Sequence, residues 1–365
     1  MRKIFCSLLS AIGEDAYRMG TSRKLLPVTI VVLTCLITPS YQATSQPDKP
    51  LMKAVVIHAY GGPEVLKLEN VPRPEPKEDE ILIRVVAASI NPVDVAIRKG
   101  YLAELVGNKF PLILGMDAAG VAEKTGTKIS KFKVGDPVYA FFTLVSEGGY
   151  AQYVVAKESE AATKPKEVTY AQAAAVPAAG STAWQVLIET AKLSAGQTVL
   201  IHGGSGGVGH LAIQIAKAFG ARVIATASTA NQDFIRRMGA DVAIDYTKTK
   251  FEEVAKDVDV VFDMAGGDTL KRSYGVVKKG GIIVSIVDEV DQKELDARGI
   301  RGVEFRASPR ARVLEDLTRL IDAKKITPIV SQMFPLSEVA RAQEQISTRH
   351  TRGKIVFQVA DEPKG

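Results

Sequence analysis

Thr198-Val-Leu-Ile-His-Gly-Gly-Ser-Gly-Gly-Val-Gly209, running on into His210-Leu-Ala-Ile-Gln-Ile-Ala-Lys217, decides the fold of this chain. A short apolar run meets a glycine-rich turn, and the turn opens an apolar-periodic helix. Gly204, Gly206 and Gly209 satisfy G-x-G-x-x-G in the one context that gives the pattern meaning. Glycine there permits a tight turn, lets backbone N–H groups approach a pyrophosphate, and lets helix and strand pack closely. The helix N-terminus adds unpaired N–H donors and the positive end of its dipole. The stretch reads as a dinucleotide site.

Working outward, the region from about Tyr170 alternates helices with short apolar strands, the candidates being 198–202, 222–227, 258–263 and 281–286. Such alternation predicts a doubly wound parallel α/β sheet. Upstream, from Met52, the pattern is β-rich: Lys53-Ala-Val-Val-Ile-His58 and Ile81-Leu-Ile-Arg-Val-Val-Ala87 are β-branched runs punctuated by Gly and Pro. After a helix near 313–323, the chain ends with a helix from Leu336 and the strand Lys354-Ile-Val-Phe-Gln-Val359. That tail is expected to rejoin the first domain. The division expected is 52–175 plus 328–361 for one domain and 176–327 for the nucleotide-binding one.

The second strand selects the dinucleotide. An NAD site places an acid about 20 residues past the glycines, to accept hydrogen bonds from the ribose hydroxyls. Here the strand ends in Ser228-Thr-Ala-Asn231, with no acid before Asp233. A carboxylate would repel a 2′-phosphate. Its absence leaves room for one, with Ser228 and Asn231 as donors and Arg236 and Arg237 on the following helix. The reading is NADPH; the alternative is that these arginines form a solvated face and the site is indifferent.

These residues resemble those of the quinone oxidoreductases and zeta-crystallin, within the medium-chain dehydrogenase/reductase superfamily. The likeness extends through Ser89-Ile-Asn-Pro-Val-Asp94, Gly115-Met-Asp-Ala-Ala-Gly120, Gly135-Asp-Pro-Val-Tyr139, Gly149-Tyr-Ala-Gln-Tyr153, Ala179-Gly-Ser-Thr-Ala-Trp184, Gly239-Ala-Asp241 and Gly353-Lys-Ile-Val356. The resemblance implies a GroES-like β-rich catalytic domain beside a Rossmann domain, with the nicotinamide between them. The family's cofactor contacts carry over to Asn91, Thr182, the loop Ser205-Gly206-Gly207-Val208, Ser228 and Tyr246. Ala265-Gly266 and Ile286-Val287 would border the nicotinamide half. Family members often carry Lys where Asn231 stands, so the expected grip on the 2′-phosphate is weakened at that position.

Zinc-dependent relatives have Cys at the start of the Asn91 region and His-Glu after the equivalent of Gly115, where this chain has Met116-Asp117. No metal site is expected, and Asp117 reads as structural. His58, His202, His210 and His350 have no ligand spacing and read as packed or surface imidazoles. The function implied is hydride transfer from NADPH to a quinone or an α,β-unsaturated carbonyl, without a Lewis acid. Polarisation of the acceptor then falls to hydrogen-bond donors, for which Asn91 and Tyr101 are the candidates. Tyr101 also reads as a rim residue, and the rim reading is slightly favoured. Tyr246-Thr-Lys-Thr-Lys250 fits the Y-x-x-x-K pair of short-chain dehydrogenases, but lies near the adenosine end and reads as a chance match. A non-catalytic NADPH-binding sensor or structural protein on the same fold is the alternative; bound NADPH that is never consumed would distinguish it.

The net charge of +6 divides evenly, because residues 1–45 hold five basic side chains against two acidic ones. No basic stripe interleaved with aromatics suits nucleic acid. Residues 1–50 read as a leader: Arg23-Lys24, an apolar run over 25–37, then Ala43-Thr-Ser45, in the order of a secretory signal. The run is short for a membrane span, which needs about 20 residues. Export to a periplasmic-type compartment is the favoured reading, with no stable membrane insertion after cleavage. Ser22-Arg-Lys-Leu-Leu26 resembles a twin-arginine signal with Lys for the second Arg. An uncleaved anchor, an organelle transit peptide and a cytoplasmic protein are the alternatives. Cys6 and Cys35 both lie in this leader, so the chain beyond it has no disulfide, thiol nucleophile or cysteine-ligated metal. A homodimer through Rossmann edge strands is the family expectation.

Overall fold

The strand Thr198–Ile201 sits at the centre of a six-stranded sheet in which every pairing is parallel. The structure, a computed structural model, describes residues 49–348 and 350–363. The leader reading therefore lies outside the described residues. Across the sheet the order is Val242–Asp245, Arg222–Ala227, Thr198–Ile201, Val258–Asp263, Val277–Ser285 and Arg301–Glu304. That is the order of two βαβαβ halves meeting beside the first strand, the Rossmann arrangement expected. Two strands escape the sequence reading. Val242–Asp245 is only four residues long, and Arg301–Glu304 is a polar edge strand without an apolar run.

Alternation along the strands explains why both faces are covered. Val199 and Ile201 pack into one core with Leu211, Ala212, Ile215 and Ala216 of the helix Gly207–Ala218. Leu200, between them, packs into the core on the opposite face with Ile224, Val261 and Ile283. All three strand residues are fully buried. Burial on both faces is what a near-continuous apolar run encodes.

The β-rich half is organised by the ten-residue strand Glu80–Ser89, which pairs antiparallel with Asp117–Thr125, Tyr153–Lys157 and Lys354–Gln358. It has its own core, including Ile57, Ile83, Val85, Tyr150 and Phe357. The last of these strands comes from the C-terminal tail. It returns after the helix Ala311–Asp322 and the strand Val330–Pro335, with which it pairs in parallel. This return puts Gly353 and Lys354 against the glycine loop: Gly353 N donates to Ser205 O at 2.9 Å. Among the described residues no helix is long and apolar enough to cross a membrane.

Candidate active site

Because the six strands run parallel, their carboxyl ends share one edge of the sheet. The segments following five of them carry the residues picked from the sequence: the glycine loop, Ser228, Tyr246, Ala265-Gly266 and Ile286-Val287. Ligands of open α/β sheets bind outside that edge, where the strand order reverses.

The helix Gly207–Ala218 starts directly at the loop, with Gly206 as its cap. The first amides of a helix have no intrahelical acceptor, and Ser205, Gly206, Gly207 and Val208 are all partly open to solvent. The glycines divide their work differently from the motif alone. The left-handed turn falls on Gly203 (φ 76°), ahead of the motif. Gly209 is required by close approach, since a Cβ there would lie 2.2 Å from Gly203 O. A Cβ on Gly207 would lie 2.9 Å from Lys354 Cδ. Side chains are thus excluded at Gly207 and Gly209, while the loop from Ser205 to Val208 stays partly open to solvent.

At the end of the second strand, Asn231 Nδ2 donates to Ser228 Oγ at 3.0 Å. Of the two arginines on the following helix, Arg236 pairs with Asp233 at 2.9 Å, and the cation bonded to Asn231 comes from elsewhere. It is Arg352, whose Nε donates to Asn231 Oδ1 and whose second terminal nitrogen donates to Ala230 O. Arg352 is exposed, so its guanidinium keeps donors for a ligand. Tyr246 follows Asp245, the residue in register with Ala227, and is exposed at the same corner.

Asp263 ties the next two loops together. Its carboxylate accepts from Ala265 N, Gly266 N and Ser285 Oγ, and Ser285 Oγ accepts from Val287 N and Asp288 N. Burial raises the Asp263 pKa, opposed by the hydrogen bonds from Gly266 and Ser285. Thr182 lies on the helix Pro177–Trp184, where its hydroxyl donates to Ala178 O at 2.7 Å.

Across from these loops, Asn91 caps the helix Pro92–Arg98 and is buried. Its side chain is fixed at both ends: Nδ2 donates to Asp117 Oδ2 at 2.8 Å and Oδ1 accepts from Lys354 Nζ at 2.7 Å. Asp117 is saturated, accepting also from Ser89 Oγ, Ala178 N and Lys354 Nζ. Lys354 is 4% exposed and Asp117 fully buried. Lys354 therefore spans from the glycine loop, which its stem packs against, to Asn91. Tyr101 is 59% exposed, with the Lys99 ammonium 5.9 Å above its ring, and so stands on the surface.

Sequence reasoning missed Arg352 and Lys354. The signal for Lys354 was present: a lysine opening the otherwise apolar strand Lys354–Gln358 needs a buried partner. His210, also read as a packed imidazole, is buried, bonded to Gly206 O at 3.0 Å, and accepts from Ile329 N at 3.2 Å. It seats the start of the helix against the tail.

Residues 77–166 match the family described as alcohol dehydrogenase GroES-like domain, and residues 238–357 that described as zinc-binding dehydrogenase. The chain is 41% identical to the chloroplastic NADPH-dependent alkenal/one oxidoreductase of Arabidopsis thaliana, over 84% of this chain and 79% of that one. Among solved structures, the quinone oxidoreductase of Coxiella burnetii superposes with a TM-score of 0.80 at 36% identity, covering 85% of this chain and all (100%) of that one. The Escherichia coli quinone oxidoreductase, solved with NADPH, superposes with a TM-score of 0.75 at 28% identity, covering 84% and 100%.

Proposed function

This chain belongs to the medium-chain dehydrogenase/reductase family, among the quinone oxidoreductases and alkenal/one reductases, and from that membership we propose that it reduces a quinone or an α,β-unsaturated carbonyl with NADPH and without zinc. The observation that carries the reading is the open glycine cradle at a helix start, with Ser228, Asn231 and Arg352 beside it. When bound, NADPH supplies a hydride.

The chain's own residues do the rest. Amides of Ser205, Gly206, Gly207, Val208 and Gly209 would hold the pyrophosphate, and Gly204 permits the close packing beneath it. Ser228, Asn231 and Arg352 would hold the 2′-phosphate, with Tyr246 against the adenosine. Arg352 thus supplies, from the tail, the cation that the family often places at Asn231. Asn91, Thr182, Ala265, Gly266, Ile286 and Val287 would frame the nicotinamide. Tyr101 would lie at the rim of the acceptor's approach.

Zinc independence rests on the donor set. At the place where zinc relatives carry their ligands, Asp117 already accepts four hydrogen bonds, one of them from the Lys354 ammonium. The buried Lys354 ammonium already balances that carboxylate, which leaves no net negative charge to hold a second cation. The direct test is turnover of NADPH after exhaustive chelation, with a panel of quinones and enones. Consumption with at least one acceptor is expected, and none with any would overturn the reading.

The outer edge of Arg301–Glu304, unpaired within the sheet, is the surface proposed for a homodimer. Export is proposed from the leader; N-terminal sequencing of the fractionated protein decides it.

A further inference from the structure

One turn into the helix that Asn91 caps stands Asp94, fully buried. Its Oδ2 accepts from Asn91 N and from the Tyr150 hydroxyl, both at 2.8 Å. Its Oδ1 is buried with no partner among the described residues. Asp94 also forms part of the wall of a cavity of ≈ 40 Å³ whose lining includes Ile97, Val106, Leu114, Met116 and Leu144. A buried carboxyl oxygen left without a partner is unfavourable unless a ligand completes it.

Three titratable groups face Asp94: Tyr150 from the turn before Tyr153–Lys157, Asp117 from Asp117–Thr125, and Lys354 from the tail strand. Burial is the largest influence and raises the pKa, as does the Asp117 charge; the bonds from Asn91 and Tyr150 and the Lys354 charge lower it. The outcome is about 7. With its proton on, Asp94 leaves the Asp117–Lys354 pair electrically balanced. A group poised near neutrality is also the most effective proton donor at that pH.

We propose that Asp94 is the proton donor of an acceptor subsite in this cavity, its Oδ1–H bonding the carbonyl oxygen of a small enone. This rests on the function proposed above and assigns the residue that completes it. Hydride addition forms the new C–H bond at the β-carbon, and the alkene pair shifts toward the carbonyl carbon. The carbonyl pair moves onto oxygen, which takes the Asp94 proton. The enol leaves and tautomerises in water, and solvent returns a proton to the carboxylate. A water needs roughly 10–15 Å³, so the cavity takes only the reducible end of an acceptor. Larger substituents would lie on the exposed Val145, which also lines it. Short enones are therefore favoured over bulky quinones.

The first measurement needs no NADPH: NMR titration of the full chain with butanone, a ketone that cannot be reduced at a conjugated alkene. Affinity is expected to fall roughly tenfold per pH unit above about 7, as the donor proton is lost. A flat profile overturns the proposal. Asp94→Asn keeps a donor but no transferable proton. Its butanone affinity should lose the pH dependence, and kcat with methyl vinyl ketone should fall roughly 100-fold. Tyr150→Phe removes a bond that holds the Asp94 pKa down, so the alkaline limbs of binding and kcat should both move to higher pH. Unmoved limbs in a folded, NADPH-binding Tyr150→Phe also overturn it. If no acceptor in the panel causes NADPH to be consumed, the function fails instead, and the butanone titration still decides Asp94.

Discussion

Lys354 donates its ammonium to Asn91 Oδ1 at 2.7 Å across 263 positions of sequence, and the same ammonium stands 3.3 Å from Asp117 Oδ2. The contact joins the glycine loop, the tail and the Asn91 cap in one place. Lys354→Met keeps the stem against Gly207 but strands a buried carboxylate. Removing one partner of a buried pair costs about 3–5 kcal/mol. Urea unfolding should show a loss of that order, and pairing it with Asp117→Asn should recover part of it. Simple additivity of the two losses would mean that the pair is not coupled.

Arg352 bears on cofactor choice. Its guanidinium is held by Asn231 Oδ1 and Ala230 O beside Ser228, where no carboxylate precedes Asp233. Hydrogen bonds to charged groups are worth about 1.5–3 kcal/mol. Arg352→Gln should therefore raise the KM for NADPH by about tenfold to a hundredfold and leave that for NADH nearly unchanged. Equal effects on both cofactors would place Arg352 away from the 2′-phosphate.

The two halves of the site differ in how legible they were. The glycine loop could be read because strand, turn and helix are contiguous, and each glycine answers a local demand. Arg352 and Lys354 could not, because their partners lie 121 and 263 residues away and meet them only after the tail has folded back. Asp94 stood in the sequence only as the end of the stretch Ser89–Asp94; burial beside Tyr150 and the apolar wall give it its chemistry. The strands Val242–Asp245 and Arg301–Glu304 were missed for a related reason. Their place in the sheet is set by neighbours already aligned, not by a pattern of their own.

Two glycines of the loop separate folding from binding. Gly209→Ala would drive its Cβ to 2.2 Å from Gly203 O, a backbone atom that cannot yield. Loss of stability and of NADPH binding together is expected. At Gly206 the nearest atom would be 3.5 Å away and φ is −77°, so alanine fits the fold. Gly206→Ala should change stability by less than about 0.5 kcal/mol, yet weaken NADPH by crowding the pyrophosphate. Thermal melting and calorimetric titration of both variants check this; undiminished NADPH binding in Gly206→Ala would remove the pyrophosphate from that surface.

His202 and His210 set the acid side of stability. Burial, the largest influence on each, lowers their pKa values from 6.5 to about 3 and about 4. Between pH 6.5 and about 4 the unfolded chain therefore holds protons on both imidazoles that the folded chain does not. Their stabilisation is present above 6.5 and is lost as pH falls through that window. Asp94 works in the opposite sense, because burial raises its folded pKa to about 7, above the ordinary value of 3.8. Over the same window the folded chain holds a proton that the unfolded one lacks, so this contribution favours folding as pH falls. Each proton is worth about 1.4 kcal/mol per pH unit. Urea unfolding across pH 4.5 to 6 (roughly the interior of that window) should show His202→Gln flattening the slope by one proton relative to the parent chain. Asp94→Asn should steepen it by one. A slope that neither substitution changes would mean that both groups titrate alike in the folded and unfolded chains.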